Sequence, residues 1–144
     1  MKMTNEWQIR DGNKDDIPFI YRTWLKSYRY DSELGECRNS VFYPEYTRVL
    51  DYILTDPKVK IDVACKRDDN TILFGYAISE PEILHYVFVK QAFGRLGIAR
   101  SLIENIGKLK YATHRTFSTQ KALKKLDIDY NPFLLFKQGI YNGT

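Results

Sequence analysis

Two cysteines, Cys37 and Cys65, are all that this 144-residue chain contains, too few for the disulfide framework of a small secreted domain. A reducing compartment is expected, with Cys65 as a small buried hydrophobe on the apolar face of a strand. No run of 18 apolar residues occurs, which excludes a membrane-spanning helix. The polar stretch Met1–Trp7 also lacks the apolar core of a secretory leader, so cytoplasmic residence is predicted. There is no linker, internal repeat or low-complexity segment, and the length suits one domain, 1–144, with one core. Charge of one sign is not concentrated either. Lys and Arg number 22 against 18 Asp and Glu, yet only Lys121, Lys124 and Lys125 cluster, as a solvated helix face. A nucleic-acid partner, which would need a basic patch, is therefore set aside.

What the chain does have is apolar material, 44% of residues, including 11 tyrosines, enough to fold. Trp7–Arg10 reads as a short strand. Asn13–Asp16 supply caps and first-turn acids for a helix to about Tyr30, with Ile17, Ile20, Tyr21, Trp24, Leu25 and Tyr28 at helical spacing. Asp31–Tyr43 has no period and reads as a loop bordering a substrate site. Pro44 is expected to open a second helix, with Tyr46, Val49, Leu50 and Ile53 on one face, ended by Thr55-Asp56-Pro57. Val59, Ile61, Val63 and Cys65 alternate with Lys60, Asp62, Ala64 and Lys66, as in a half-covered strand. A turn at 67–70 pairs this strand antiparallel with Thr71–Ser79, where Gly75-Tyr76 marks a bulge or a close backbone approach. Ile83–Val89 is apolar on both sides, as in a central strand. A helical stripe of Ile98, Leu102, Ile103, Ile106 and Leu109 follows, then a strand over Tyr111–Phe117, a short helix from a Ser118 cap to about Leu126, and a closing strand over Phe133–Phe136.

The stretch between the central strand and the next helix carries the chemistry. Gly94-Arg95-Leu96-Gly97-Ile98-Ala99 puts glycines at a strand-to-helix turn, where the backbone can approach a ligand closely. Unpaired amides at the helix start present positive potential to an anion there. A phosphate ester is the natural guest, although paired glycines also serve simply to permit a tight turn.

Val89, then Phe93, then Gly94-Arg95-Leu96-Gly97-Ile98-Ala99, followed by Arg100-Ser101-Leu102-Ile103, resembles motif A of the Gcn5-related N-acetyltransferase (GNAT) family. One position departs: the family's leading Arg or Gln is Gly94 here, with the arginine displaced to Arg95. The element order resembles the family over nearly the whole chain. It implies an α+β, three-layer GNAT fold whose mixed, mostly antiparallel central sheet is flanked by helices, with an abbreviated C-terminal end. The opening residues, Ile9-Arg10 and Asp16–Tyr21 with Trp24–Tyr28, look like small acetyltransferase-like proteins encoded by bacteriophages.

The resemblance implies acetyl-CoA as cosubstrate and no metal. The pantetheine arm would lie along Val87, Phe88 and Val89, and the diphosphate on the amides of Arg95, Leu96, Gly97, Ile98, Ala99 and Arg100, after Gly94. It also implies acetyl transfer by direct attack of a primary amine, small-molecule or peptide. His85 is the first choice of base, because a histidine on the same strand occurs in arylalkylamine N-acetyltransferases and an ordinary imidazole titrates near neutrality; a hydrogen-bonded structural role is the alternative. Glu82, at the start of the strand, is the second choice, or else a solvated strand end. The family's acid tyrosine is out of register: Leu126 stands four residues after Ala122, and Tyr111 and Tyr130 are merely nearby. The acid is left unassigned. The competing expectation is a catalytically inactive GNAT-fold protein with a binding or structural role, in a phage virion or against a host. Oligomeric state is open, a homodimer being admitted.

Overall fold

A computed structural model describes residues 6–137; Met1–Asn5, most of the polar N-terminal stretch, and residues 138–144 lie outside it. The elements run β1 (Trp7–Asp11), α1 (Ile17–Tyr30), α2 (Asn39–Leu54), β2 (Lys60–Lys66), β3 (Asp69–Glu80), β4 (Glu82–Val89), α3 (Ile98–Ile106), β5 (Leu109–Ala112), α4 (Gln120–Lys125), β6 (Asp129–Tyr130) and α5 (Leu134–Lys137).

The approach to α1 is fixed by polar chemistry close in sequence. Asn13 caps a 3-10 turn by accepting from Asp15 N–H at 2.9 Å, and Asp16 accepts from Asn13 N–H at 2.8 Å, a reciprocal capping arrangement. The Arg10 guanidinium then reaches both Asp16 oxygens at 2.9 Å. Of the stripe predicted on α1, Ile20, Trp24, Leu25 and Tyr28 are buried, and Ile17 and Tyr21 are half-buried. Helix α2 corrects an expectation. Pro44 lies inside it, because the helix already begins at Asn39, before which Arg38 offers no side-chain cap. Pro44 and Ser40 are both exposed, so water can satisfy the Ser40 carbonyl that the proline leaves without its donor.

The six strands lie in sequence order, β1 to β6. The first three pairings are antiparallel, and β4–β5 and β5–β6 are parallel, with α3 as the crossover that a parallel pair requires. Helices cover both faces. Trp24, Phe42, Leu50, Val63, Cys65, Tyr76 and Tyr86 belong to the cluster under α1 and α2, and Ala64, Phe74, Ala77, Leu84, Ile98 and Leu102 to the one under α3. Strand β2 is accordingly covered on both faces along Asp62–Cys65, not on one as its alternation suggested. Gly75 lies at a close approach: a Cβ there would run into the Phe88 carbonyl oxygen. The register also slips beside it, between Ala64 and Cys65.

The C-terminal half differs from expectation in three places. Gly107, at φ 100°, ends α3, so Leu109 belongs to β5 and not to the helical stripe. Strand β5 stops at Ala112, well short of Phe117. Phe133–Phe136 folds into the turn leading through α5, and among the described residues the last strand is the two-residue β6, after which Asn131 N–H donates to Ala112 O at 2.8 Å. The abbreviated end is visible in these elements. Among the described residues no helix is long and apolar enough to cross a membrane, and both cysteines are free thiols.

Candidate functional site

Strands β4 and β5 pair only at Glu82↔Leu109, Ile83↔Tyr111 and Leu84↔Ala112, closed by Thr113 N–H to Leu84 O at 3.0 Å. Strand β4 continues to Val89 without that neighbour, and a cleft of about 860 Å³ opens beside it. Val87, Phe88 and Val89 form one wall, Gly94, Arg95 and Ala99 lie at the α3 end, and Thr23, Ser27, Asp31, Tyr86, Thr116 and Ser118 are among the other lining residues. In an antiparallel ladder alternate residues turn their peptide groups to opposite neighbours. Lys90 N–H donates to Phe74 O at 2.8 Å, so Lys90 and Phe88 face β3, and the peptide groups of Val87 and Val89 face the gap.

The end wall is an amide cradle. Gly97, at φ 78°, is the N-cap of α3, a conformation that favours glycine. The first bond of the helix is Ser101 N–H to Gly97 O at 3.0 Å, which leaves the amides of Ile98, Ala99 and Arg100 ahead of the ladder. Of the amides expected there, that of Leu96 donates back to Phe93 O at 3.4 Å, and the Gly94 amide, ahead of them, donates to Gln91 O at 3.2 Å. Phe93 stacks on Phe74 with centroids 4.2 Å apart, anchoring the loop to the sheet.

Opposite lies a clamp between the end of α1 and the segment after β5. Phe117 N–H donates to Asp31 O at 2.8 Å, and the Ser118 hydroxyl donates to the Asp31 carboxylate. Tyr86 shares a 2.6 Å hydrogen bond with Ser27 and stacks on Trp24 with centroids 4.8 Å apart. Burial raises its phenol well above the ordinary range, so the proton stays on at any physiological pH.

The predicted base sits elsewhere. Ser79 pairs with Leu84 and Ile78 with Tyr86, so His85 is the extra residue of a bulge and leaves the ladder. It is 2% exposed and does not line the cleft. Its Nε2 lies 2.8 Å from Glu80 Oε2 and its Nδ1 2.8 Å from Thr113 Oγ1. Thr113 Oγ1 is 2.8 Å from His114 Nδ1, and His114 Nε2 is 2.5 Å from the Tyr46 hydroxyl. Burial, acting against the Glu80 carboxylate, lowers the His85 pKa, and burial brings His114 down to about 3. Glu82 is half-exposed at the opposite end of β4, 3.4 Å from Lys110 Nζ, and its φ of 68° belongs to the turn. Neither predicted base touches the cleft. Sequence reasoning missed Tyr86, Ser27, Asp31, Glu80, Thr113, His114 and Tyr46. The one signal for the network was that the chain has two histidines, each on or beside a strand of the parallel pair. Tyr130 is exposed under the Arg115 guanidinium, 4.4 Å from its ring centroid, and Tyr111 is half-buried on β5; neither lines the cleft. Among the described residues no His, Cys, Asp and Glu side chains converge as a metal site.

No protein-family model matches the chain, and no curated protein matches it in sequence. Solved structures do match. A Pyrococcus furiosus protein assigned as an acetyl transferase aligns over 96% of this chain and 93% of its own, with TM-score 0.57 and 13% identity. An integron cassette protein of Vibrio cholerae aligns over 84% of each chain, with TM-score 0.53 and 14% identity. A GCN5-related N-acetyltransferase from Kribbella flavida aligns over 72% of this chain, with TM-score 0.51 and 18% identity. The chain spans 62%, 63% and 64% of the matched Staphylococcus aureus, Escherichia coli and Kribbella proteins, under two thirds of their length. At these identities the likeness establishes the fold, which is that of the GNAT acyl-CoA N-acyltransferases. None of these matches supports the expected phage source.

Proposed function

We propose that the chain is an N-acetyltransferase that holds acetyl-CoA in the cleft between β4 and β5 and passes the acetyl group directly to a primary amine. The observation that carries this is the gap itself. Two edge-like peptide groups, at Val87 and Val89, face open space that ends at the start of a helix whose first amides have no ladder partner. A linear ligand with amides along its length and a diphosphate at its end satisfies both sets of groups at once. Val87, Phe88 and Val89 would hold the amide-bearing arm, and Arg95, Gly97, Ile98, Ala99 and Arg100 the diphosphate. The bound thioester supplies an activated acetyl group. Tyr86 is the protonated hydroxyl on the cleft wall, aimed by Ser27 and backed by Trp24, and is our assignment for the hydrogen-bond donor to the departing thiolate. His85 is too buried to meet an amine directly, and Glu82 is engaged at the far end of the strand.

Calorimetric titration with acetyl-CoA tests the reading. Binding is expected at micromolar concentration, and Ala99→Glu, which sets a carboxylate at the anion end, should weaken it at least ~10-fold. Absence of heat at millimolar ligand overturns it. Thiol release over a panel of polyamines, arylalkylamines and peptide amines separates an enzyme from a binding protein of the same fold.

A further inference from the structure

Helix α1 lays one face along the cleft. Thr23, Lys26, Ser27 and Tyr30 all line it, at the three- and four-residue spacing of neighbours on a helical surface. Two of them fix how the helix sits on β4. The Ser27 hydroxyl is 2.6 Å from the Tyr86 hydroxyl. The Thr23 hydroxyl is 2.8 Å from that of Tyr76, whose partner across the ladder is Phe88. The stretch of α1 from Thr23 to Ser27 therefore runs beside the stretch of β4 from Tyr86 to Phe88, and Lys26 lies within it. A helical side chain leans toward the N-terminus of its own helix, so the Lys26 stem is directed from the level of Ser27 and Tyr86 toward that of Thr23.

The Lys26 amine is also uncommitted. It is exposed, and among the described residues no carboxylate holds it in an ion pair, unlike Lys60, Lys66 and Lys110. Asp31, the carboxylate on the cleft lining, takes its bonds from Ser118. Arg95 lines the cleft as well, but a guanidinium keeps its proton and offers no nucleophile. Lys26 is thus the primary amine that borders the cleft among the described residues, on a flexible four-carbon stem. We infer that Lys26 is a self-modification site, whose ε-amine takes the acetyl group of the acetyl-CoA held in the same cleft. The inference rests on the acetyl-transfer reading above, which lays the amide-bearing arm along Val87–Val89 and puts the departing sulfur beside Tyr86. Amine and thioester then share one complex, and their reaction no longer needs an encounter in solution.

The atoms balance. The ammonium first gives one proton to solvent. The Nζ lone pair forms an N–C bond to the thioester carbonyl carbon, and the C–S bond breaks as the tetrahedral adduct collapses. The sulfur leaves with the electron pair of that bond, accepts a hydrogen bond from Tyr86, and takes a second proton from the nitrogen. An acetamide and a thiol remain, with one proton released. The amide does not pass its acetyl group on, so the mark is self-limiting: a cation on the cleft wall becomes a longer, neutral side chain. An acceptor amine and Lys26 draw on the same thioester, so the mark accumulates when acceptor is scarce.

Peptide mapping by mass spectrometry, after timed incubation of the full chain with acetyl-CoA and no added amine, tests the site. Lys26 should be acetylated at least ~10-fold faster than Lys14, Lys58, Lys121 and Lys125, exposed lysines that do not line the cleft. Ala99→Glu should slow the reaction at Lys26 by the factor by which it weakens acetyl-CoA binding, and leave the surface lysines as they were. Unfolding in urea should erase the preference. Lys26→Arg should abolish the fast phase with no other lysine taking it over. Equal rates at all these lysines, or a preference for Lys26 that survives unfolding, overturns the site. So does a protein that binds acetyl-CoA in calorimetry while Lys26 stays unmodified, and in that case the acetyl-transfer reading stands. A protein that binds no acetyl-CoA overturns that reading and this site with it.

Discussion

His114 shows how one buried ring couples local packing to pH. Its folded pKa lies at about 3 against an ordinary 6.5, and burial is the first cause. Below about pH 6.5 the unfolded chain therefore binds a proton that the folded chain refuses until about pH 3. Stability is highest above that window and falls with decreasing pH through it, by up to ~1.4 kcal/mol per pH unit for this group. His85, also lowered, acts with the same sign. Urea unfolding at stepped pH should show the decline, and His114→Gln should flatten the slope by about one proton. An unchanged slope would mean that the ring charges freely in the folded state. Little of this was legible beforehand. A histidine on an apolar strand was visible, but its removal from the ladder depends on the slip between Ile78 and Ser79, and its partners Glu80 and Thr113 are placed by pairing and not by neighbourhood in sequence.

Among the elements, α1 and α3 were the most readable, because a helical stripe is a local pattern and the buried residues of α1 are those the spacing selected. The start of α2 was not readable. Arg38 gives no cap, and Pro44 mimics the first-turn signal six residues into the helix. Phe133–Phe136 is an apolar run too short for its period to separate strand from helix. The cradle was legible as a motif, and the structure adds which amides are available in it. Gly97 provides the check at this scale. Its φ of 78° and the open space around its Cα mean that Gly97→Ala meets strain without any clash, at ~1–2 kcal/mol. Thermal unfolding should report that loss, and acetyl-CoA affinity should fall with it as the first turn of α3 shifts. A variant as stable and as tight as wild type would show that the turn has another accessible geometry.

Across the whole molecule, the two cores are joined by one central sheet, and β3 runs through both, with Tyr76 and Ile78 in one cluster and Phe74 and Ala77 in the other. Gly75 between them lies against β4, and the obstacle to a side chain is the Phe88 carbonyl, part of the main chain. Gly75→Ala should therefore loosen both faces together and lower global stability by roughly 2–3 kcal/mol, with a single unfolding transition in calorimetry. Two separate transitions would show that the layers melt independently. The sheet's margins carry a last consequence. One is β1, five residues including Gln8, Arg10 and Asp11, and the other is β6, two residues with Pro132 close behind. Short, charged or proline-flanked borders give a neighbouring molecule little main chain on which to template, so concentrated solutions of this protein should resist the strand-by-strand growth that leads to fibrils.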